Sequence, residues 1–469
     1  MSSKSNVSLG VIGLSVMGSN LARNAASRGH HVVVYNRTTA VTEKFMADHG
    51  ADGEFVATKT LNELVEALPA PRVVLVMVKA GNPVDAVLNG LKPLLTPGDV
   101  VVDGGNTYYP DTVRRFEDYQ AAGLHFMGMG VSGGEEGALH GPSMMPGGSD
   151  KVWHLVKAVF EPMAADDKLG GKCVALTGPS ASGHFVKMVH NGIEYAIMQI
   201  IAELYDILKS TYGLTHADLT AVFHALRDDP ALSSFLLDIT GDVLEVYEGE
   251  APLIDFIIDQ SEQKGTGRWT AETALQLGVA APSIMAAVAA RSQSGDLALR
   301  KKGETIRPVA PKQTKKVDLK QLIESTKAAY QTMVILSYIQ GFEIILAGKS
   351  LGFTVDLPEV ARIWRGGCII QSALLGPITE TFKATGDWTG KSLVSLITQS
   401  GVTGLRQLVA DAAVTGTPAL CIMSTLGYME QMVATRLPQN IVQALRDDFG
   451  AHTYRRVDKE GVFHTHWKA

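Results

Sequence analysis

The chain has 469 residues, too many for one ordinary core, so two large domains are expected. Hydrophobic residues at 46% and charged residues at 19% exclude a disordered chain, and a formal net charge of −6 argues against a nucleic-acid partner. The three cysteines, Cys173, Cys368 and Cys421, are far apart and odd in number, which excludes a disulfide framework and a zinc spacing.

Met1–Asn6 is short and polar, with neither an apolar signal core nor an arginine-rich transit segment. No uninterrupted apolar run reaches the roughly 20 residues that span a bilayer. The expectation is a cytoplasmic protein with reduced, buried thiols, no membrane partner and no metal.

The first third alternates strand and helix. Val7–Ile12, His31–Tyr35, Val73–Val78 and Val100–Val102 read as buried strands, with Ser19–Arg28 and Thr39–His49 as helices between them. Leu124–Met127 and Val174–Leu176 are weaker strand candidates. This alternation predicts a parallel sheet with crossover helices. After about Gly178 long helical patterns dominate. His184–Lys209 is apolar on almost every side after Tyr195, as a central helix of a helical domain would be.

A faint repeat follows. Tyr212-Gly213-Leu214-Thr215 comes after the first long apolar helix, and Leu351-Gly352-Phe353-Thr354 after a second, Ser325–Ala347, which suggests two helical halves of similar plan. Arg300–Lys316 reads as an exposed connection. The tail from about Gly450 reads by default as a frayed terminus.

The first strand runs into Gly13-Leu14-Ser15-Val16-Met17-Gly18 and then a helix, which resembles a dinucleotide fingerprint with Ser15 at the middle glycine position. Gly13 permits the tight turn, Gly18 permits close packing, and the helix N-terminus offers amides to a pyrophosphate. The second strand ends in Asn36-Arg37-Thr38. An NAD enzyme would carry an acid here to hold the ribose hydroxyls. A neutral Asn followed by Arg and a hydroxyl suits the 2′-phosphate of NADP instead, the alternative being a plain turn with Thr38 as N-cap. Val78-Lys79-Ala80-Gly81 and Asp103-Gly104-Gly105-Asn106-Thr107 bring two more glycine-bearing turns to the same edge.

The helix from His184 carries Lys187, His190, Asn191, Glu194 and Tyr195 within an arc of about 140°. Burying five polar groups is costly unless they bind one another or a ligand, so the stripe reads as a site rather than a solvent face. A desolvated Lys187 can act as a base near neutral pH, with Glu194 carrying a second proton. Val131-Ser132-Gly133-Gly134-Glu135-Glu136-Gly137 could nest a carboxylate. Gln263-Lys264-Gly265-Thr266-Gly267-Arg268-Trp269 has the wrong order for a Walker loop but could reach a phosphate. Arg291 and Arg446 stand alone and read as surface arginines.

Taken together, these segments resemble the 6-phosphogluconate dehydrogenases. The likeness extends to Ile363-Trp364-Arg365-Gly366-Gly367-Cys368-Ile369-Ile370 and to Arg446 with Phe449-Gly450-Ala451-His452-Thr453-Tyr454. The resemblance implies an α/β Rossmann-like domain over 1–180, an all-helical domain over 181–449, and a tail over 450–469 that reaches the partner of a homodimer.

It implies that NADP is held by Gly13, Leu14, Ser15, Met17, Gly18, Asn36, Arg37, Thr38, Val78, Lys79, Ala80 and Asn106. It implies oxidative decarboxylation in the pentose phosphate pathway, with Lys187 taking the C3 hydroxyl proton and Glu194 protonating C1 of the enediol. Asn106, Ser132, Gly133, Gly134, His190 and Asn191 would hold the sugar acid. Tyr195, Lys264, Arg291 and Arg446 of the partner subunit would hold the phosphate, with His452 nearby. Ser15, Pro179-Ser180-Ala181-Ser182, Arg268, Gln371 and His224–Asp229 depart from the usual pattern without removing a proposed catalytic group. Two rivals are a β-hydroxyacid dehydrogenase acting on a non-phosphorylated substrate and a catalytically silent NADP sensor.

Overall fold

The computed structural model describes residues 7–306 and 314–467. Met1–Asn6, the middle of the Arg300–Lys316 connection and the last two tail residues lie outside them. Lys301, Lys302, Lys315 and Lys316, at the described ends of that connection, are exposed as expected.

Seven strands form one sheet: β1 (Ser8–Ile12), β2 (His31–Tyr35), β3 (Phe55–Thr58), β4 (Val73–Val76), β5 (Val100–Asp103), β6 (His125–Ser132) and β7 (Ser143–Gly147). Their order is β3-β2-β1-β4-β5-β6-β7. The first six run parallel, and β7 runs antiparallel to β6. Successive residues face opposite sides of a strand, so each hydrophobic run feeds two cores. Leu9, Val11, Val32, Val34, Val100 and Val102 pack on one face against α1 (Val16–Ser27), α2 (Thr39–His49) and, further along, Val152 and Val156. Ile12, Val33, Val74, Val76 and Val101 pack on the other against α3 (Leu61–Glu66), α4 (Asn82–Leu91) and α5 (Tyr109–Ala121). Each fully buried Val or Leu contributes about 1.5–3 kcal/mol.

β3 and β7 were not expected, and one expected strand is absent. Val174–Leu176 makes only a single bridge, Val174 to Met144. The stretch stays beside β7 as far as Thr177, with Met144 N donating to Cys173 O at 2.9 Å and Thr177 N to Pro146 O at 2.8 Å, without becoming a regular strand.

Two short helices flank and follow β7: α6 (Gly134–His140) before it and α7 (Asp150–Phe160) after it. Then α8 (Ser182–Asp206) opens the helical domain, with Phe185, Val186, Val189, Ile193, Ala196 and Ile200 fully buried. A second long helix, Leu319–Ala347, packs against α8. By length and composition it could cross a membrane, yet 67% of its apolar window is buried inside the protein.

The two long helices continue alike. A tight turn leads to Gly213 at φ +68° or Gly352 at φ +84°, and then a helix starts behind Thr215 or Asp356 as N-cap. The sequence repeat thus marks a recurring helix–turn–helix plan.

The tail is ordered rather than frayed. Tyr454 pairs with Phe463, and the buried Asp447 accepts from Thr453 N, His464 Nδ1, Thr465 N and Trp467 Nε1 at 2.8–3.0 Å. Four donors on one carboxylate hold it well below the usual acid range.

Candidate active site

The strand order reverses between β1 and β4, which opens a crevice beyond their carboxyl ends. Gly13 sits there at φ +96°, where an added Cβ would meet the Met77 carbonyl, and one on Gly18 would strike the Gly13 carbonyl. The first amides of α1 lack helical partners and face outward behind exposed Ser15 and Val16.

Asn36 ties the neighbouring loop in place: its Oδ1 accepts from Leu14 N at 3.2 Å and its Nδ2 donates to Thr38 O at 3.2 Å. Thr38 is the N-cap of α2 but makes no side-chain cap bond, and Arg37 beside it is exposed. Lys79 and Asn106 are also exposed, on the turns after β4 and β5. The Asn106 turn is held from below by buried Asp103, which accepts from Gly105 N at 3.0 Å and Thr107 Oγ1 at 2.7 Å.

The first turns of α8 press directly on β6 and β7. A Cβ on Gly130 would collide with the Lys187 side chain, and one on Gly183 with the Gly128 and Met145 carbonyls. Glycine here lets the helix approach the strands backbone to backbone. This places Lys187 against Gly130 and, one turn on, His190 beside Ser132 at the end of β6.

The polar stripe is interior. His190 is fully buried, and Lys187, Asn191 and Tyr195 are nearly so. Lys187 Nζ donates to Asn191 Oδ1 at 2.6 Å and lies 3.3 Å from His190 Nδ1. His190 Nδ1 is 3.0 Å from Asn191 Oδ1, and its Nε2 is 3.2 Å from Ser132 Oγ. A neutral ring that donates from Nδ1 accepts at Nε2 from the serine hydroxyl. Burial and the Lys187 ammonium hold the His190 ring well below the usual imidazole range. Its 3.9 Å approach to Glu194 is therefore not an ion pair.

Desolvation lowers Lys187 from the ordinary amine range, against the pull of Glu194 and Cys368. Desolvation raises Glu194, against Lys187 and Arg291. Burial has moved both groups toward neutrality, as proton exchange near neutral pH requires.

Around this centre, Arg291 stacks 3.5 Å above the Tyr195 ring centroid. It is therefore not the free surface arginine its isolation in sequence suggests. Lys264 is exposed on the loop entering the helix Thr266–Gln276. Gly133 and Gly134 have φ of +123° and +63°, and a Cβ on Gly133 would strike the Gly367 carbonyl.

Two family models divide the chain between them: the NAD binding domain of 6-phosphogluconate dehydrogenase matches residues 8–178, and the 6-phosphogluconate dehydrogenase C-terminal domain matches 183–467. A decarboxylating 6-phosphogluconate dehydrogenase of Synechococcus elongatus is 46% identical, with 98% of each chain covered. The chain belongs to the 6-phosphogluconate dehydrogenase family.

Two further members agree. The NADP(+)-dependent, decarboxylating enzyme of Bacillus subtilis is 44% identical over 98% of each chain. The 6-phosphogluconate dehydrogenase of Plasmodium falciparum, solved apo, with its cofactor NADP+ and with its substrate 6-phosphogluconate, superposes with a TM-score of 0.92 at 35% identity. That match covers 98% of this chain and 100% of the Plasmodium chain.

Within this member of the family, Arg446 and His452 stand apart from the rest of the candidate site. Arg446 bonds Gln443 at 3.0 Å and His452 rests against Phe449, both exposed. The sequence reading missed three neighbours of the stripe. Thr266 Oγ1 accepts from Asn191 Nδ2 at 3.0 Å. Trp364, fully buried, meets the His190 ring edge-on at 5.6 Å. Cys368 donates its thiol to Trp364 O at 3.1 Å, and burial pushes that thiol up, so it is an inert wall rather than a nucleophile. All three lie in segments that carry the family resemblance, but no local pattern reveals their contacts.

Proposed function

We infer that this chain oxidises 6-phospho-D-gluconate with NADP and releases carbon dioxide and D-ribulose 5-phosphate, a reaction of the pentose phosphate pathway. The observation that carries this reading is the enclosed Lys187–His190–Asn191 cluster, pressed against β6 next to the dinucleotide crevice.

The residues of the crevice suit NADP. Gly13–Gly18 provides the close backbone approach, and exposed Arg37 with Thr38 provides a cation and a hydroxyl where a 2′-phosphate would lie. When bound, NADP supplies the hydride acceptor.

Lys187 takes the proton of the C3 hydroxyl as hydride leaves C3. Its lowered proton affinity makes the neutral amine available for this. The product is a β-keto acid, whose ketone accepts the electrons of the breaking carbon–carbon bond, so no metal is required. Protonated Lys187 donates to the ketone oxygen during that step. Glu194, its carboxyl raised by burial, then delivers a proton to C1 of the enediol.

Ser132, Gly133, Gly134, His190, Asn191 and Asn106 hold the sugar-acid end. Tyr195, Lys264 and Arg291 hold the phosphate.

We place the domain division near residue 180 and assign the chain to a cytoplasmic homodimer with exchanged tails. Ile441, Val442, Leu445 and Phe449 support the dimer: all four are exposed on the helix Gln439–Gly450, an apolar stripe that needs a cover. In the dimer Arg446 and His452 act across the interface.

The test is a coupled assay with 6-phosphogluconate and NADP. Reduced nicotinamide and carbon dioxide in equal amounts are expected. Reduction without carbon dioxide would favour the β-hydroxyacid dehydrogenase, and tight NADP binding without turnover would favour the sensor.

A further inference from the structure

Asn191 is the junction of the site. Its Oδ1 lies 2.6 Å from Lys187 Nζ and 3.0 Å from His190 Nδ1, and its Nδ2 lies 3.0 Å from Thr266 Oγ1. Lys187 and Asn191 belong to one turn of α8, whereas Thr266 comes from another helix 75 residues further on. Lys187, Asn191 and Thr266 are exposed by only 6%, 7% and 6%, so solvent does not compete for these bonds. A carboxamide has a donor end and an acceptor end, and only the acceptor end can serve an ammonium. The Thr266 hydroxyl occupies the donor end. Without it the buried amide nitrogen has no partner and the side chain must turn to find one.

We propose that Thr266 is a positioning residue for the general base: its hydroxyl holds Asn191 so that the carboxamide oxygen stays on Lys187 Nζ, which sets the proton affinity of that amine. The proposal rests on the assignment of Lys187 as the base.

The position of Thr266 in the chain gives the contact a second meaning. Thr266 opens its helix directly behind Gly265, at φ +98°, and Lys264. Thr270 Oγ1, one turn later, donates to Met188 O at 2.7 Å, and Gly267 lies bare against the Tyr195 ring. The loop that carries the phosphate-side lysine is therefore joined to the base through three consecutive residues, 264 to 266, and two hydrogen bonds that meet at Asn191. A phosphate drawn to Lys264 acts on the same segment that steadies Asn191.

The groups facing Lys187 are His190 and Glu194 from its own helix and Cys368 from the loop after Trp364. Arg291 acts through Glu194, and Lys264 stands at the head of the Thr266 helix. None of them bonds the Thr266 hydroxyl, whose partner is Asn191.

The experiment compares the pH dependence of kcat/KM for the parent enzyme, Thr266→Val, Thr266→Ala and Thr266→Ser, all with 6-phosphogluconate and NADP. Using one substrate throughout cancels the substrate's own titration. A protonated Lys187 that loses its acceptor releases its proton more readily. The acid limb is therefore expected to move to lower pH by about half a unit or more in Thr266→Val and Thr266→Ala. Thr266→Ser keeps the hydroxyl and is expected to keep the parental limb.

A limb that stays put in folded Thr266→Val or Thr266→Ala, with activity merely scaled down, overturns the proposal. So does a Thr266→Ser limb that shifts as far as theirs. A parent enzyme that yields no reduced nicotinamide from 6-phosphogluconate overturns the functional reading instead.

Discussion

The cofactor crevice and the Lys187 helix stand side by side yet are built in opposite ways. The crevice is surface backbone: Gly13, Gly18 and the turns after β4 and β5 are shaped by close approach, with exposed side chains at the rim. The Lys187 site is interior side chain: its amine, imidazole and carboxamide are fixed by one another inside an apolar helix. A backbone site tolerates exchange at its rim, where the side chain of Ser15 is exposed. A buried side-chain site draws its chemistry from desolvation and loses it with a single group.

Four experiments would break or sharpen that contrast. The largest effect is expected inside. Lys187→Met should reduce hydride transfer by about a thousandfold or more while NADP binding, measured by fluorescence titration, stays near parental. Near-normal turnover would remove the base from the interior site. Removing Gly450–Ala469 should lower activity by about a hundredfold, disproportionately to the loss of stability that follows from taking the four donors off Asp447. A fully active truncation would mean that the site is complete within one chain.

At the crevice, Arg37→Ala should raise KM for NADP by about tenfold and leave that for NAD nearly unchanged. Equal losses with both would show that Arg37 does not read the 2′-phosphate.

The smallest effect concerns stability. Burial keeps His184 and His190 neutral when folded, with proton affinities below that of an ordinary imidazole, which titrates near 6.5. The unfolded chain therefore binds more protons as pH falls through about 6.5, and stability declines from there downward. A melting temperature that rises on acidification through this window would contradict the neutral interior.

The two regions also differed in how plainly the sequence announces them. Gly13 and Gly18 are legible because close backbone approach admits only one residue type. The Lys187 stripe is legible because polar groups at helical spacing stand out in an apolar run. β3 was missed because Phe55–Thr58 is a short edge strand, largely uncovered. β7 was missed because Ser143–Gly147 carries Pro and Gly and reads as a turn, although all five residues are buried. Val174–Leu176 shows the converse error, a short apolar run that lies along β7 without becoming a strand. Thr266, Trp364 and Cys368 reach the site across separations that local periodicity does not record.

The bare contact between α8 and β6 has a mechanical consequence. Where Gly130 meets the stem of Lys187 and Gly183 meets the Gly128 carbonyl, bare glycine backbone lets helix and sheet pack in direct contact. A close-packed seam of this kind resists sliding by even a methyl group's width, so Lys187 is held in fixed register with β6.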